Sequence, residues 1–389
     1  MKTAHLIYVD AETNRNCEFN MTQLSDACFE TETKRVSANG FKKKYPMKFW
    51  EKVYNGKIME GFTDKTDNVV CKVSTLLKYK PIEDDVVGEM FGFIQSCARK
   101  VVKDSYTVSY EQVSEHMIEE ARSEISRLAS GYGTLSVTEA NDILRNLFII
   151  IPRKMKNVSD MLINEGNYQE VIEREQDLLD VMSAQVMTMK PHTVPDKTIL
   201  ETLGLEIRQC TKEESDMIKE KMGPVGHRFV RAFRVKNLMT EARFQSFMKE
   251  RGMDKENIHY YYHGSKNMNY YGLTTQGPKL NPDAPITGKM FGYGFYLANK
   301  ARKSINYTSV PDSIYNNEKE KRAYLAVYKT AYKNPMHVKH HRHEMCRYTE
   351  KLIRPYDALF AHGGADLVND EIIVYNESQV TIQYLIEIK

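Results

Sequence analysis

Three hydrophobic periods succeed one another along the chain. Through about residue 80, short aromatic and polar stretches are broken by turn signals at Asn39-Gly40, Tyr45-Pro46 and Asn55-Gly56, which predicts a small sheet-rich domain. From Pro81 the period becomes helical. In "PIEDDVVGEMFGFIQSCARKVV" the residues Val87, Met90, Phe91, Ile94, Cys97 and Val101 recur on one helical face, and Glu83, Asp84 and Asp85 occupy the first turn, where the helix dipole favours anions. "YEQVSEHMIEEARSEISRLAS" repeats the pattern with Val113, Met117, Ala121, Ile125 and Leu128. "SVTEANDILRNLFIII" opens on Ser136 and Glu139 in capping-box spacing and is closed by Pro152. A fourth helix, "VIEREQDLLDVMSAQVM", carries Ile172, Leu179, Met182 and Val186.

The prolines of "KPHTVPDK" (190–197) deny helix and central strand, so this stretch reads as a linker. Beyond it, "HRFVRAFRV", "RAYLAVYKTAY" and "QVTIQYLIEIK" alternate as strands do. The alternation is cleanest at the C-terminus, with Val380, Ile382, Tyr384, Ile386 and Ile388 set against Thr381, Gln383, Glu387 and Lys389. The pattern predicts a multidomain α+β chain: a small β-rich domain over 1–75, an all-α domain over 82–190 and an α+β domain over 198–389.

Composition narrows the class. A chain of 389 residues, 41% hydrophobic and 28% charged, is long enough for several cores. With a net charge of only +3, nucleic-acid contact would need local clustering of basic residues. The six cysteines, Cys17, Cys28, Cys71, Cys97, Cys210 and Cys346, lie far apart without a C-x-x-C pair, and read as reduced. Asp10 interrupts the apolar start well before a signal-peptide core, and "LFIII" (147–151) is far shorter than a membrane span. The expected location is intracellular, with no membrane partner.

Candidate chemistry gathers in "HYYYHGSKNMNYYGLTTQGPKL". His263 falls at the end of an aromatic strand, and Gly264 permits close backbone approach by a ligand. A second cluster, "ITGKMFGYGFYLANKARKSINY", sets Gly288, Gly292 and Gly294 among aromatics. It lacks the third glycine of a dinucleotide fingerprint, since Leu297 stands there. In "DEIIVYN", Glu371 opens an apolar strand at what would be a cleft rim. A solvated glutamate and a structural imidazole are the plain alternatives for Glu371 and His263. His337, His340, His341, His343 and Cys346 crowd one stretch without a second cluster at zinc spacing, and no metal is assigned.

Together these segments resemble the poly(ADP-ribose) polymerase family. The likeness rests on "YYHGS", on "APITGKMFGYGFYLANKARKSINY" and on "NDEIIVYNESQVTIQYLIEIK", which occur in the family's order. It implies an α+β ADP-ribosyltransferase domain of mostly antiparallel sheets with NAD+ as substrate, and catalytic residues His263, Tyr296 and Glu371. It also places His263, Gly264, Ser265, Lys279, Tyr296, Ser304 and Tyr307 on NAD+, and Met290 on the acceptor side, where Lys289 replaces the family's tyrosine. The partners implied are acceptor proteins, the chain itself included, and DNA breaks or another nucleic acid; the location implied is nuclear if the source is eukaryotic.

The helices, through "RNLFIIIPRKM" and "QDLLDVMSAQV", resemble the regulatory helical domain of the DNA-damage-activated members, with a packing platform as the alternative. "KKYPMKFWEKVYNGKIMEGFTDKT" resembles a WGR domain, although Thr33, Lys34 and Arg35 stand where the family has Trp-Gly-Arg. Lys34, Arg35, Lys42, Lys43, Lys44, Lys48, Lys52 and Lys57 face a single acid, Glu51, between 34 and 57. Interleaved with Phe41, Tyr45, Phe49 and Trp50, they suit phosphate contact and base stacking. Arg35, Lys42, Lys43, Lys44, Lys48 and Trp50 are the candidate nucleic-acid residues; a solvated lysine face is the alternative. The expected activity is poly(ADP-ribosyl)ation with release of nicotinamide, stimulated by DNA, beside two other readings: mono-ADP-ribosylation, and a sensor that keeps the fold without turnover.

Overall fold

The computed structural model describes residues 1–35, 40–66, 79–188, 196–280, 290–316 and 319–389. Asn39, Cys71, Gly288, Lys289, most of the 190–197 linker and the side chain of Arg35 lie outside the described residues. Packing divides the chain into two units, Met1–Thr75 with Lys100–Met189, and Leu76–Arg99 with Lys190–Lys389.

The first unit opens on β1 (Thr3–Asp10), β2 (Arg15–Gln23), β3 (Cys28–Arg35) and β4 (Phe41–Pro46), followed by α1 (Trp50–Met59) and a short β5 (Thr63–Asp64). The sheet runs β4-β3-β2-β1-β5, all antiparallel. Because side chains alternate along a strand, the pairs Leu6↔Phe19 and Ala4↔Met21 share one face and close a core with Phe29, Trp50 and Phe62.

Four helices follow: α2 (Asp85–Ser105), α3 (Glu115–Ser130), α4 (Val137–Ile150) and α5 (Tyr168–Met187). Ser136 and Glu139 form the reciprocal cap expected of them. On α2 the buried row is Val87, Met90, Phe91, Ile94, Ala98 and Val102. The expected Cys97 and Val101 are only half-buried, because the stripe continues along the i+4 ridge, where small Ala98 admits close packing.

The second unit adds α6 (Ile199–Thr202), β6 (Leu205–Gln209), α7 (Lys212–Lys221), β7 (Phe229–Asn237), α8 (Leu238–Glu250), β8 (Ile258–Gly264) and α9 (Tyr270–Thr275). It continues with β9 (Phe295–Leu297), α10 (Ala301–Ile305), β10 (Ala323–Ala331), β11 (Pro335–Val338), β12 (Ala358–Ala361), β13 (Glu371–Val374) and β14 (Val380–Ile388). One sheet runs β6-β7-β14-β10-β8 and the other β11-β12-β13-β9. Their ladders are antiparallel except β11 with β12. The architecture is α+β, as the sequence pattern predicts, with mostly antiparallel sheets, as the family resemblance implies.

Strand β14 departs from that pattern in one respect. As a central strand between β7 and β10 it buries its polar face too. Thr381 hydrogen-bonds Thr240 at 2.8 Å, and Glu387 accepts from Arg231 Nε at 2.8 Å and Arg322 Nη2 at 3.1 Å. Burial is tolerated because each polar group has a partner. Residues 85–99 of α2 pack within this unit: Phe91 lies 5.7 Å from the Tyr271 ring, and Glu89 accepts from Arg231 and Arg322 at 3.0 and 2.8 Å.

Candidate active site

The two sheets of the second unit meet where Tyr262 and Ala298 exchange backbone hydrogen bonds of 2.8 and 2.9 Å. This bridge lays β9 beside the end of β8. It brings His263 to Tyr296, whose carbonyl lies 2.9 Å from His263 Nδ1. A carbonyl can only accept, so Nδ1 carries the proton. The imidazole stacks on Phe295 at 4.2 Å and meets the edge of Tyr328 at 5.9 Å, which fixes its plane.

Glu371 reaches the same place through the β13–β9 pairing, in which Ile373 lies opposite Tyr296 and Glu371, two residues earlier, shares the face of Ile373. Its carboxylate is 2.7 Å from Lys303 Nζ, with the two side chains only 12% and 14% exposed. Lys303 also donates to Asn369 O at 3.2 Å. Sequence reasoning missed Lys303: a lysine on the short α10 looks like any solvated helical lysine, and only its position just before Ser304 hints at the cleft.

The Tyr296 hydroxyl is already engaged. It donates to Gly292 O and accepts from the Phe291 N–H, both at 3.0 Å, so it pins the glycine-rich turn. Burial foremost, with the nearby Tyr375 and Glu371 adding to it, holds this phenol well above its usual range. It remains neutral. Gly292 has φ +77°, and a Cβ there would meet Tyr348 O at 2.3 Å, so the turn requires glycine.

Gly264 is crowded for a different reason. A Cβ on it would lie 1.7 Å from Ser304 O, so the end of β8 packs directly on α10. The structure thereby brings together His263, Gly264, Tyr296, Ser304 and Glu371. Tyr307, 40% exposed, has its phenol pushed up to about 12 by burial first, then by the nearby Glu371 and Tyr315.

Two of the expected NAD+ contacts are otherwise employed. The Ser265 hydroxyl accepts from Asn269 Nδ2 at 3.0 Å, and Lys279 Nζ lies 3.4 Å from Glu377, past the end of β13 remote from Glu371. Met290 packs half-buried with Phe291 and Ile373.

Residues 206–325 match the model of the poly(ADP-ribose) polymerase catalytic domain. Poly(ADP-ribose) polymerase 1 of Gallus gallus is 26% identical over 70% of this chain and 28% of its own length. Two proteins of Invertebrate iridescent virus 6 are similar at nearly full length. Uncharacterized protein 101L is 27% identical over 52% of this chain and 85% of its own, and the putative poly(ADP-ribose) polymerase-like protein 100L is 25% identical over 47% and 97%. Residues 206–325 thus carry the poly(ADP-ribose) polymerase catalytic-domain signature, and the relatives that this chain resembles include named members of that family.

A poly(ADP-ribose) polymerase catalytic domain is an ADP-ribosyltransferase that consumes NAD+. The matched segment contains His263, Tyr296, Ser304 and Tyr307 and ends before Glu371, whose place beside them comes from the β13–β9 pairing.

The N-terminal basic residues of this chain are less free than their sequence suggests. Lys42 pairs with Glu30 at 2.8 Å, Lys34 with Glu32 at 3.1 Å and Lys57 with Glu60 at 2.6 Å. Lys43 and Lys48 lie over the rings of Tyr45 and Phe49, and Lys42, Lys43, Lys44 and Lys48 are exposed. Trp50, expected to stack on a base, is 4% exposed and packs edge-on against Phe29 at 5.0 Å. An indole enclosed in its own core has no face to offer a nucleotide.

The histidine-rich stretch is likewise dispersed. His337 pairs with His362 at 2.9 Å, His340 and the His341 N–H turn to Asp366, and Cys346 donates to His343 O. Among the described residues, no group of three or more His, Cys, Asp or Glu side chains is placed to hold a metal, and no helix is long and apolar enough to cross a membrane.

Proposed function

We propose that this chain transfers ADP-ribose from NAD+ to proteins and extends the product into poly(ADP-ribose), with Glu371 as the residue that makes extension possible. The observation that carries this reading is the placement of the Glu371 carboxylate, nearly buried and held by Lys303, on the sheet face of Tyr296, whose carbonyl orients His263. His263 holds a ribose hydroxyl. The Gly264 backbone and the Ser304 hydroxyl hold the carboxamide of nicotinamide, and Tyr307 stacks on its ring. The bond between the ribose anomeric carbon and the nicotinamide nitrogen breaks, its electron pair leaving with neutral nicotinamide. The oxocarbenium-like carbon is stabilised by the Glu371 carboxylate. An acceptor hydroxyl attacks that carbon and gives up its proton to Glu371.

The exposed lysines of β4 support stimulation by DNA through phosphate contact, without base stacking by Trp50. Incubating the protein with labelled NAD+, with and without nicked DNA, and resolving products on a gel tests the whole reading. A polymer ladder that intensifies with DNA is expected. A single shifted band points to mono-ADP-ribosylation, and absence of label overturns the assignment.

A further inference from the structure

Eight residues past Tyr307, the ring of Tyr315 stacks on it with centroids 4.8 Å apart and an interplanar angle of 26°. We propose that Tyr315 is a positioning residue of the nicotinamide seat: it backs Tyr307 from the solvent side and sets the plane on which nicotinamide stacks. The proposal rests on the reading of Tyr307 given above.

The segment that carries Tyr315 is anchored for this purpose. Its N–H donates to Asn306 O at 2.9 Å, and Ser313 Oγ donates to the same carbonyl at 2.5 Å. Lys319 Nζ donates to Ser313 O at 2.7 Å and Asn316 O at 3.0 Å. Ser313 and Asn316 are buried, at 7% and 3% exposure, whereas Ile314 and Tyr315 between them are 68% and 64% exposed. A loop tied down by buried polar side chains on both sides presents one aromatic ring, and that ring lands on Tyr307. The side it covers follows from exposure. A ring in the seat itself would be enclosed with Ser304, which is 5% exposed, and with the nearly buried Glu371, so a ring two-thirds open to solvent lies on the other face. A stacking platform selects a ligand plane only if its own plane is fixed, and Tyr307, 40% exposed, gains that fixation from Tyr315.

The test compares the parent with Tyr315→Ala, Tyr315→Leu and Tyr315→Phe in the full chain. It measures KM and kcat for NAD+, and the Kd for benzamide as a nicotinamide mimic. Removing the ring (Ala) or its π-face (Leu) is expected to raise KM and benzamide Kd together by about threefold to tenfold. kcat should stay within about twofold, and Tyr315→Phe should behave as the parent. Unchanged binding in the Ala and Leu variants of a parent that binds benzamide sinks the role of Tyr315 alone. Tighter binding also overturns it, placing the ring inside the seat rather than behind it. A parent that neither binds benzamide nor consumes NAD+ removes the nicotinamide seat itself, and the Tyr315 assignment with it.

Discussion

At the scale of single residues, the cleft turns on one carboxylate and the cation that holds it. Glu371→Gln keeps the shape of the side chain while removing the charge that draws a proton from the acceptor hydroxyl. NAD+ binding is expected to persist while chain extension falls by roughly a hundredfold or more, as on loss of a positioned acid-base group. Labelled product resolved on a gel reads this directly, and long polymer from the variant removes Glu371 from the mechanism. Lys303→Met makes the complementary cut, leaving a nearly buried carboxylate without its partner. It is expected to destabilise the protein by about 3 kcal/mol, because an uncompensated buried charge is costly. Adding Glu371→Gln to Lys303→Met should restore most of that loss, a coupling of at least about 1 kcal/mol in urea midpoints. Equal effects of Lys303→Met in both backgrounds would mean that the pair is not a stabilising contact.

At the scale of elements, helix α7 shows how a cap can join a helix to a sheet. Thr211 and Glu214 form its capping box, and Glu214 also accepts from both Arg208 terminal nitrogens at 2.7 and 2.8 Å and from Arg234 at 3.1 Å. The Arg208 guanidinium foremost, with the Thr211 N–H, lowers the Glu214 carboxyl to about 2 from its ordinary 4.5. A folded-state pKa below the unfolded one stabilises the fold above about 4.5, and that increment is lost as pH falls toward about 2. Glu214→Gln removes it. The difference in urea midpoint between parent and variant is therefore expected to be widest near neutral pH and to shrink on acidification. A difference that stays constant over that range would show that the carboxylate charge plays no part.

At the scale of the whole molecule, the charge of +3 leaves no general field to gather nucleic acid, so any such contact must be local. The local cluster is partly neutralised by Glu30, Glu32 and Glu60, acids that lie just outside the basic window. The DNA prediction therefore moves to Lys43, Lys44 and Lys48. Changing these three to Glu should weaken binding of nicked duplex and lower the slope of log affinity against log salt by about 0.9 for each phosphate that is no longer neutralised. Stimulation of NAD+ consumption by DNA should fall with it. A variant that matches the parent in binding at every salt concentration would assign DNA binding to other residues.

The sequence by itself determined what depends on near neighbours along the chain. The four helices from 85 to 187, the capping box at Ser136, the stop before Pro152 and the C-terminal strand were all legible, because helical and strand periods and turn chemistry act over a few residues. The resemblance to a family likewise pointed to His263, Tyr296, Ser304 and Glu371, and the structure draws them together. Tertiary structure decided which of these groups are spoken for. Pairing of β13 with β9 brought Lys303 onto Glu371, the central position of β14 buried the polar face that alternation assigned to solvent, and the first core enclosed Trp50. The same holds for the lysines, whose acidic partners stand across strand pairings or beyond the window in which they were counted. Desolvation and ion pairing depend on distance through space, and a one-dimensional pattern records only distance along the chain.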